Sequence, residues 1–334
     1  MLGSAAQAIL THGAPGGSSG RLSVLIYHRV LARPDPLLPD EPSAPEFEAT
    51  MRWIKRTFNV ISLAEGVAGL KSGGLPPRAL SITFDDGYSN NETIAAPILA
   101  RLGMHATFFV ATGYLDGGRM FNDTIVEMVR AARGAVLDLQ SLGLDRYALG
   151  TNQDRLRTIG ALINAIRGRP VTERAELTER AAAEAGTQLP RDLMMTSQQV
   201  VRLARAGFAL GGHTVSHPIL ARLPSEAARR EIVDGKRFLE DLCGARVTLF
   251  AYPNGRPNSD YVASTVALVR GAGFEGAVST SGGAARTGSD PYQIPRFTPW
   301  DQNTLAFAAR MWSNMVRTTP VYAHEEASVS ANAV

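Results

Sequence analysis

The chain is organised around the stretch Ser81-Ile82-Thr83-Phe84-Asp85-Asp86-Gly87-Tyr88. Here an apolar run of β-favouring residues ends in two adjacent carboxylates and a glycine. Side chains alternate along a strand, so Asp85 and Asp86 can face one cavity only where the backbone turns at the strand's end. Two neighbouring negative charges are costly unless a cation or a proton lies between them. By itself the stretch predicts an acidic site or an ordinary Asp-Gly turn, and it favours neither.

A second chemically suggestive stretch is Gly212-His213-Thr214-Val215-Ser216-His217-Pro218. The proline and the preceding glycines favour a loop or a single turn, in which the two imidazoles can converge. Two imidazoles and one carboxylate form a common three-ligand set for a catalytic divalent metal. The alternative is a pair of surface or capping histidines. It is the weaker interpretation, because the chain has only six histidines and two of them lie beside a strand end at this spacing.

Strand and helix patterns alternate along most of the chain. Short apolar runs predict strands at 21–28, 59–63, 79–84, 106–111, 208–211, 247–252 and 276–279, with amphipathic segments between most of them. This alternation predicts an α/β fold with a parallel sheet. The acidic stretch and the histidine stretch both follow strands, so we expect them at the C-terminal rim of one sheet, where sites of α/β proteins form.

The predicted catalytic domain spans residues 21–317 and contains one region that breaks this rhythm. Helical patterns at 121–133, 153–166 and 172–185, with little strand signal, predict a helical insertion over about 117–195. Residues 1–20 are expected to form a flexible leader and residues 318–334 a disordered tail. We therefore expect one domain with an insertion.

Composition excludes several classes of protein. With 334 residues, 45% hydrophobic and 19% charged, the chain is typical of a globular enzyme with a substantial core. The net charge is +3 and the arginines are scattered, so nucleic-acid binding is not predicted. The single cysteine, Cys243, excludes a disulfide framework. Neither a secretory signal nor a membrane span is evident, which predicts a cytoplasmic or membrane-peripheral location; the oligomeric state is not predicted.

Three motifs resemble those of a known family. The stretches Thr83-Phe84-Asp85-Asp86-Gly87 and His213-Thr214-Val215-Ser216-His217-Pro218 resemble the first two motifs of the polysaccharide deacetylases, the NodB-homology or carbohydrate esterase 4 class. Phe250-Ala251-Tyr252-Pro253-Asn254-Gly255 resembles the third motif in its exopolysaccharide-deacetylase form. The resemblance covers about residues 22–299 with the insertion set aside. It implies a distorted (β/α) barrel and metal-dependent hydrolysis of an N-acetyl group on a sugar.

The resemblance also implies roles for individual residues. Asp86, His213 and His217 would hold a divalent metal, most typically Zn2+, although Co2+, Ni2+ or Fe2+ also suit such ligands. Asp85 would be the general base that takes a proton from the attacking water.

The third motif implies the residues that contact the substrate. The loop would stabilise the oxyanion through a backbone N–H near Asn254. Apart from this motif, Tyr88, Tyr252, Trp300 and Phe121 are candidates for stacking on a sugar ring, although each could equally belong to the core; Trp300 has the better claim, because it is flanked by loop residues near Arg296. The expected substrate and oxyanion residues are Tyr252, Pro253, Asn254 and Trp300.

Two positions depart from the usual family pattern. The arginine that usually pairs with the base is replaced by Ala251, and Arg296 could supply that charge or could be a surface residue. The usual Leu-x-His motif of the general acid is not found, and His324 lacks the required leucine. His28, after the first strand, could be the acid instead, as in the exopolysaccharide branch, or could be structural.

The leading hypothesis is therefore a hydrolase of carbohydrate metabolism that removes N-acetyl groups from a polysaccharide or a lipid-linked glycan precursor, with a role in exopolysaccharide biosynthesis. One alternative is a deformylase or amidohydrolase for a formamido sugar or a cyclic amide, because a fold does not fix the substrate. The other is a metal- or carbohydrate-binding domain without catalysis. A base beside three metal ligands argues against the second alternative.

Overall fold

A curled, largely parallel sheet forms the centre of the protein. The computed structural model describes residues 14–299, 304–316 and 318–324. Neighbouring strands follow the order β10-β1-β3-β4-β7-β8-β9, with β2 also paired to β3, and only the β1–β10 pairing is antiparallel. These strands are β1 (Arg21–Tyr27), β2 (Asn59–Val60), β3 (Ala79–Phe84), β4 (Thr107–Val110), β7 (Ala209–Gly212), β8 (Leu249–Ala251), β9 (Gly276–Val278) and β10 (Ala285–Arg286). The predicted α/β fold with a parallel sheet is confirmed.

Helices surround this sheet, and some of them begin at a capping box. Ser43 and Glu46 form a capping box at the start of α1, and Ser62 and Glu65 form one at the start of α2. The helices are α1 (Ala44–Thr57), α2 (Leu63–Ser72), α3 (Ala96–Leu102), α4 (Phe121–Ala131), α5 (Asn152–Ile166), α6 (Val171–Glu184), α7 (Ser197–Arg205), α8 (Ser225–Cys243), α9 (Ala263–Gly271) and α10 (Thr304–Val316). One turn of π-helix, Asn91–Ala95, precedes α3.

A short segment links β9, at one end of the sheet, to β1 near the other end. Ile294 bridges to Val278 of β9, and Phe297 bridges to Leu25 of β1. Arg296 lies between these two bridges. The segment that closes the sheet therefore places the Arg296 side chain beside Asp85.

The insertion has a hydrophobic core of its own. Side chains from α4, α5 and α6 pack together, among them Ile125, Val129, Leu162 and Leu177. The three predicted helices are present, and each begins and ends within two residues of the predicted position. The sequence showed little strand signal here, but the structure adds a two-stranded antiparallel hairpin of β5 (Val136–Asp138) and β6 (Arg146–Ala148). These strands are three residues long, too short for an alternating pattern to stand out.

The described parts of the two termini pack against the barrel. Ala14 is buried, and its carbonyl accepts a hydrogen bond from the backbone N–H of Arg78. Ala323 is also buried, and its N–H donates to Gln293 Oε1 at 2.6 Å. Residues 14–20 and 318–324 therefore belong to the folded domain, in contrast to the flexible ends predicted for them. Among the described helices, none combines the length and apolarity that a membrane crossing needs.

Candidate active site

The two adjacent aspartates reach one site because the backbone turns at the end of β3. Thr83 and Asp85 share one face of the strand, as residues two apart do. Asp86 then adopts a left-handed conformation with φ 75°, and Gly87 follows with φ 91°. A non-glycine residue at positive φ is uncommon, and aspartate is among those that tolerate it. The turn brings both carboxylates into one site: Asp85 and Asp86 are only 3% and 5% exposed.

Asp85 forms a buried, two-pronged ion pair with Arg296. Nη1 and Nη2 of the arginine donate to Oδ1 and Oδ2 of Asp85, each at 2.7 Å. The guanidinium also donates to Ser279 O at 2.9 Å and to Thr83 Oγ1 at 3.2 Å. Burial raises the pKa of Asp85, but Arg296, with further help from nearby histidines, outweighs it and holds the pKa below its usual value. Asp85 is therefore a carboxylate at neutral pH.

Asp86, His213 and His217 converge in the way that a metal site requires. Asp86 Oδ1 lies 3.3 Å from His213 Nε2 and 3.5 Å from His217 Nε2. The potential ligand atoms of the three residues all lie within 4.8 Å of one another. Asp86 and His213 are buried, and His217 is partly exposed, which leaves one side of the group accessible.

The loop between the histidines is held in a strained and well-braced conformation. Thr214 and His217 have φ angles of 67° and 52°. A β-branched residue at positive φ is an outlier, and such strain concentrates at functional sites. Glu231 of α8 braces the loop: Oε2 accepts from the N–H groups of Val215 and Ser216 at 2.9 and 2.8 Å, and Oε1 accepts from Ser216 Oγ at 2.7 Å.

His213 is oriented by the residue that replaces the usual arginine. Its Nδ1 lies 2.8 Å from the carbonyl oxygen of Ala251, which makes Nδ1–H the donor and leaves the Nε2 lone pair aimed at Asp86. Such a hydrogen bond behind a histidine fixes the tautomer that binds metal.

The charges of the group favour a cation. Burial raises the pKa of Asp86, but His213, His217 and His28 outweigh it and hold the pKa well below its usual value. Burial lowers the pKa of His217 to about 4, so this imidazole is neutral and its lone pair is free for a metal. Burial also lowers the pKa of His213, but the two aspartates outweigh it and raise the pKa above its usual value. A bound cation would take the place of the proton that the two aspartates favour on His213.

The residues present fit a divalent metal ion. Asp86 Oδ1 is buried and has no hydrogen-bond partner in the described part of the chain. An unsatisfied carboxylate oxygen is costly in a buried site, and a cation shared with two imidazoles would satisfy it. The three residues can therefore hold a divalent metal ion.

His28 lies beside Asp85 because of the strand register. Tyr27 of β1 pairs with Phe84 of β3, and the N–H of Asp85 donates to Tyr27 O at 2.9 Å, so the next residue of each strand is adjacent. His28 is partly exposed and lies close enough to interact electrostatically with Asp85 and Asp86. Asn91 Nδ2 donates a hydrogen bond to the backbone carbonyl of His28 at 2.8 Å.

The third-motif loop contributes backbone atoms to the site. The side chain of Tyr252, which was predicted to contact the substrate, does not lie there. Tyr252 has no exposed surface, its ring stacks on Tyr261 at 3.9 Å, and its hydroxyl donates to the carbonyl of Tyr292. As a substrate-contact residue Tyr252 is a wrong prediction, because its side chain shares the face of Phe250, which packs in the core. Pro253 is also buried.

Asn254 is the exposed residue of this loop. Its φ is 57°, and its carbonyl accepts from Thr280 Oγ1 at 2.7 Å. Its backbone N–H donates no hydrogen bond to any of the described residues. Trp300, the predicted sugar-stacking residue, lies outside the described residues. The other aromatic candidates are engaged elsewhere: Tyr88 is buried, and Phe121 lies under the guanidinium of Arg174.

A buried polar layer near the aspartates was not anticipated from the sequence. The Tyr88 hydroxyl donates to Asp123, with oxygen–oxygen distances of 3.1 and 3.2 Å. Arg29 lies over the Tyr88 ring and 3.8 Å from Asp123. Burial, with the charge of Asp86 adding to it, raises the pKa of Asp123 to about 7. Asp123 comes from the insertion, and neither it nor the brace Glu231 follows a strand or forms a motif, so the sequence carried no signal for either.

Comparison with known proteins assigns the chain to a family. The model of the polysaccharide deacetylase family matches residues 72–154 and 172–275, together more than half of the chain. The chain therefore belongs to the polysaccharide deacetylase family, whose members remove N-acetyl groups. The family resemblance read from the three motifs is confirmed. The matched residues end before Arg296.

Individual relatives are distant in sequence but similar in fold. YxkH of Bacillus subtilis (strain 168), whose name assigns it to the polysaccharide deacetylases, is 22% identical over 278 residues, covering 83% of this chain and 70% of YxkH. The structure of IcaB from Ammonifex degensii aligns with a TM-score of 0.56 and 18% identity over 90% of this chain and 98% of its own. The Streptococcus pyogenes deacetylase PplD, solved with acetate, aligns with a TM-score of 0.55 and 18% identity over 84% and 92%. The predicted barrel of the NodB type is confirmed.

Proposed function

We propose that this protein is a metal-dependent N-deacetylase that acts on acetamido sugars of a polysaccharide or of a lipid-linked glycan precursor. The observation that carries the proposal is the neighbouring pair of functional groups: a carboxylate held ionised by Arg296, and the convergent group of Asp86, His213 and His217. The first is suited to move a proton and the second to hold a metal. A binding domain has no use for both.

Asp86, His213 and His217 would hold the metal, and zinc suits two imidazoles and one carboxylate. When bound there, a divalent metal would polarise the amide carbonyl and acidify the attacking water. Asp85 would accept the proton of that water. Both of its oxygens bind Arg296, but each carboxylate oxygen has two acceptor sites, so one remains for the incoming proton. Arg296 also fixes the orientation of the base.

The other two roles go to His28 and Asn254. His28 would protonate the departing amine, since it lies at the end of β1 next to Asp85 and is partly exposed to the site. The backbone N–H of Asn254 would donate to the oxyanion of the tetrahedral intermediate, because it is exposed and has no acceptor among the described residues.

Acetate release from N-acetylglucosamine oligomers tests the proposal. Enzyme stripped with a chelator should release no acetate, and zinc, cobalt or nickel should restore the activity. A His213→Ala variant should bind less metal and lose the activity. A matched control is His105→Ala, since His105 is an exposed histidine outside the ligand group. Activity that survives chelation, or formate release from formamido sugars without acetate release, would contradict the proposal.

A further inference from the structure

Next to the metal-binding loop lies a pocket of about 590 Å³. One wall is the connection between α5 and α6 with the first turn of α6, and the other is the metal-binding loop and the chain that follows it. Val215, Ser216 and Pro218 line the pocket and flank His217. A molecule in the pocket would therefore contact the loop that carries His217, and pockets of roughly 300–1,000 Å³ hold small molecules.

Arginines dominate the charge of this pocket. Glu231, one of the two acidic side chains that line it, is already committed to the backbone N–H groups of Val215 and Ser216. Asp234, the other, is exposed and interacts with Arg229, which does not line the pocket. The five arginines are Arg167, Arg169, Arg174, Arg222 and Arg230.

Arg174 is the most informative of the five, because it is buried and forms no ion pair with a carboxylate of the described residues. It is only 7% exposed, and its Nε is buried with no hydrogen-bond partner in the described part of the chain. Its guanidinium carbon lies 4.6 Å from the ring centroid of Phe121, which holds the group in place without neutralising it. A buried charge that lacks a partner is costly. A buried arginine that forms no ion pair with the described residues therefore indicates a site for an anion.

Arg222 adds a second positive charge to the same pocket. Its Nη1 donates to the Gly168 carbonyl at 3.3 Å, and no carboxylate of the described residues lies within ion-pair distance of it. Arg222 is close enough to Arg174 for the two guanidinium groups to repel each other, and burial together with this repulsion lowers the pKa of Arg174. Like charges facing each other across the pocket are unfavourable, and an anion between them would relieve the repulsion.

We infer that this pocket binds a phosphate group of the substrate, so that the acetamido sugar carries a phosphate monoester or diester close to the N-acetyl group. The inference rests on the proposed function for the identity of the sugar. The planar guanidinium presents paired donors that match phosphate oxygens, and several arginines suit a group with more than one charge. The family model does not match residues 155–171, which contain Arg167 and Arg169 of this wall.

Binding of inorganic phosphate, measured by calorimetry at constant ionic strength, tests the inference on the intact metal-loaded protein. Arg174→Met keeps the apolar stem over Phe121. Arg222→Gln should leave the fold intact, because Arg222 is exposed. Each should weaken phosphate binding at least tenfold, the size expected for a lost charge-assisted hydrogen bond. The matched control is Arg180→Met, an exposed arginine of α6 outside the pocket, which should bind phosphate like the wild type.

Three sugars then identify the source of the phosphate and test its chemistry. Glucose 1-phosphate or glucose 6-phosphate should compete with phosphate, and the better competitor shows which ester the pocket accepts. Glucuronate, which carries a carboxylate, should compete more weakly than either. Phosphate affinity that is unchanged in both pocket variants, no phosphate binding, or tighter binding of glucuronate would overturn the inference. No acetyl group is present, so the result is independent of the outcome of the acetate assay.

Discussion

The pair formed by Arg296 and Asp85 gives the sharpest prediction, because both side chains are buried and each satisfies the other. Replacing Arg296 with methionine keeps much of the volume but leaves the carboxylate with no counter-charge and ends four hydrogen bonds of the guanidinium. Removing one partner of a buried ion pair costs about 3–5 kcal/mol. We expect the free energy of unfolding at pH 7 to fall by this amount.

The effect of this substitution depends on pH. The folded-state pKa of Asp85 lies below its unfolded value of about 3.9, so the pair stabilises the protein above that pH and the stability is lost as the pH falls through the folded pKa. The difference between wild type and Arg296→Met should therefore be largest near neutrality and shrink below about pH 4. Without Arg296, burial raises the pKa of Asp85, and the acid limb of kcat/KM should move to higher pH.

Urea unfolding of a double-mutant cycle measures the coupling. Arg296→Met combined with Asp85→Asn should destabilise by less than the sum of the two single variants, since the second change removes the unpaired charge. The control is Arg246→Met, whose partner Glu275 is 3.6 Å away on the surface, and its stability should be nearly that of the wild type. Additive effects in the cycle, or an Arg296→Met variant as stable as the wild type, would refute the reasoning.

Three further predictions concern residues around the site. Glu231→Gln should weaken metal affinity by about 10–100-fold, because the loop between the ligands loses its charged brace, whereas Glu226→Gln on the first turn of the same helix should not; metal titration measures both. Asp123, whose pKa is raised to about 7, makes the wild type less stable as the pH rises from about 4 to about 7, since the folded state holds the proton more tightly; unfolding curves of Asp123→Asn should lack this decline. In Gly255→Ala, a Cβ at φ 73° would lie 2.9 Å from the backbone nitrogen of Thr280, so steady-state assays should show a lower kcat at unchanged metal content.

Features that depend on local pattern could be predicted from the sequence. The strand that ends at Asp85, and the histidines that follow β7, are visible because strand residues, glycines and ligand types occur in order along the chain. The alternation of strands and helices gave the α/β class for the same reason. The starts of α1 and α2 also carry a local signal, because Ser43 with Glu46 and Ser62 with Glu65 have the spacing of a capping box.

Features that depend on the closure of the sheet could not be predicted from the sequence. Arg296 lies 211 residues from its partner Asp85, and only the bridges of Ile294 and Phe297 to β9 and β1 bring it there. The sequence could offer it only as one possibility beside a surface arginine. Tyr252 is different, since its alternation with buried Phe250 could have indicated the inward-facing side chain.

The adjacent residues Asp85 and Asp86 are proposed to perform different tasks, and one measurement separates them. Metal content and acetate release should be determined together for Asp85→Asn and Asp86→Asn. We expect Asp86→Asn to lose both metal and activity. Asp85→Asn should keep the metal and lose activity by about 10²–10⁴-fold, the contribution of a general base. An Asp85→Asn variant with wild-type activity, or an Asp86→Asn variant that binds metal as tightly as the wild type, would contradict the assignment.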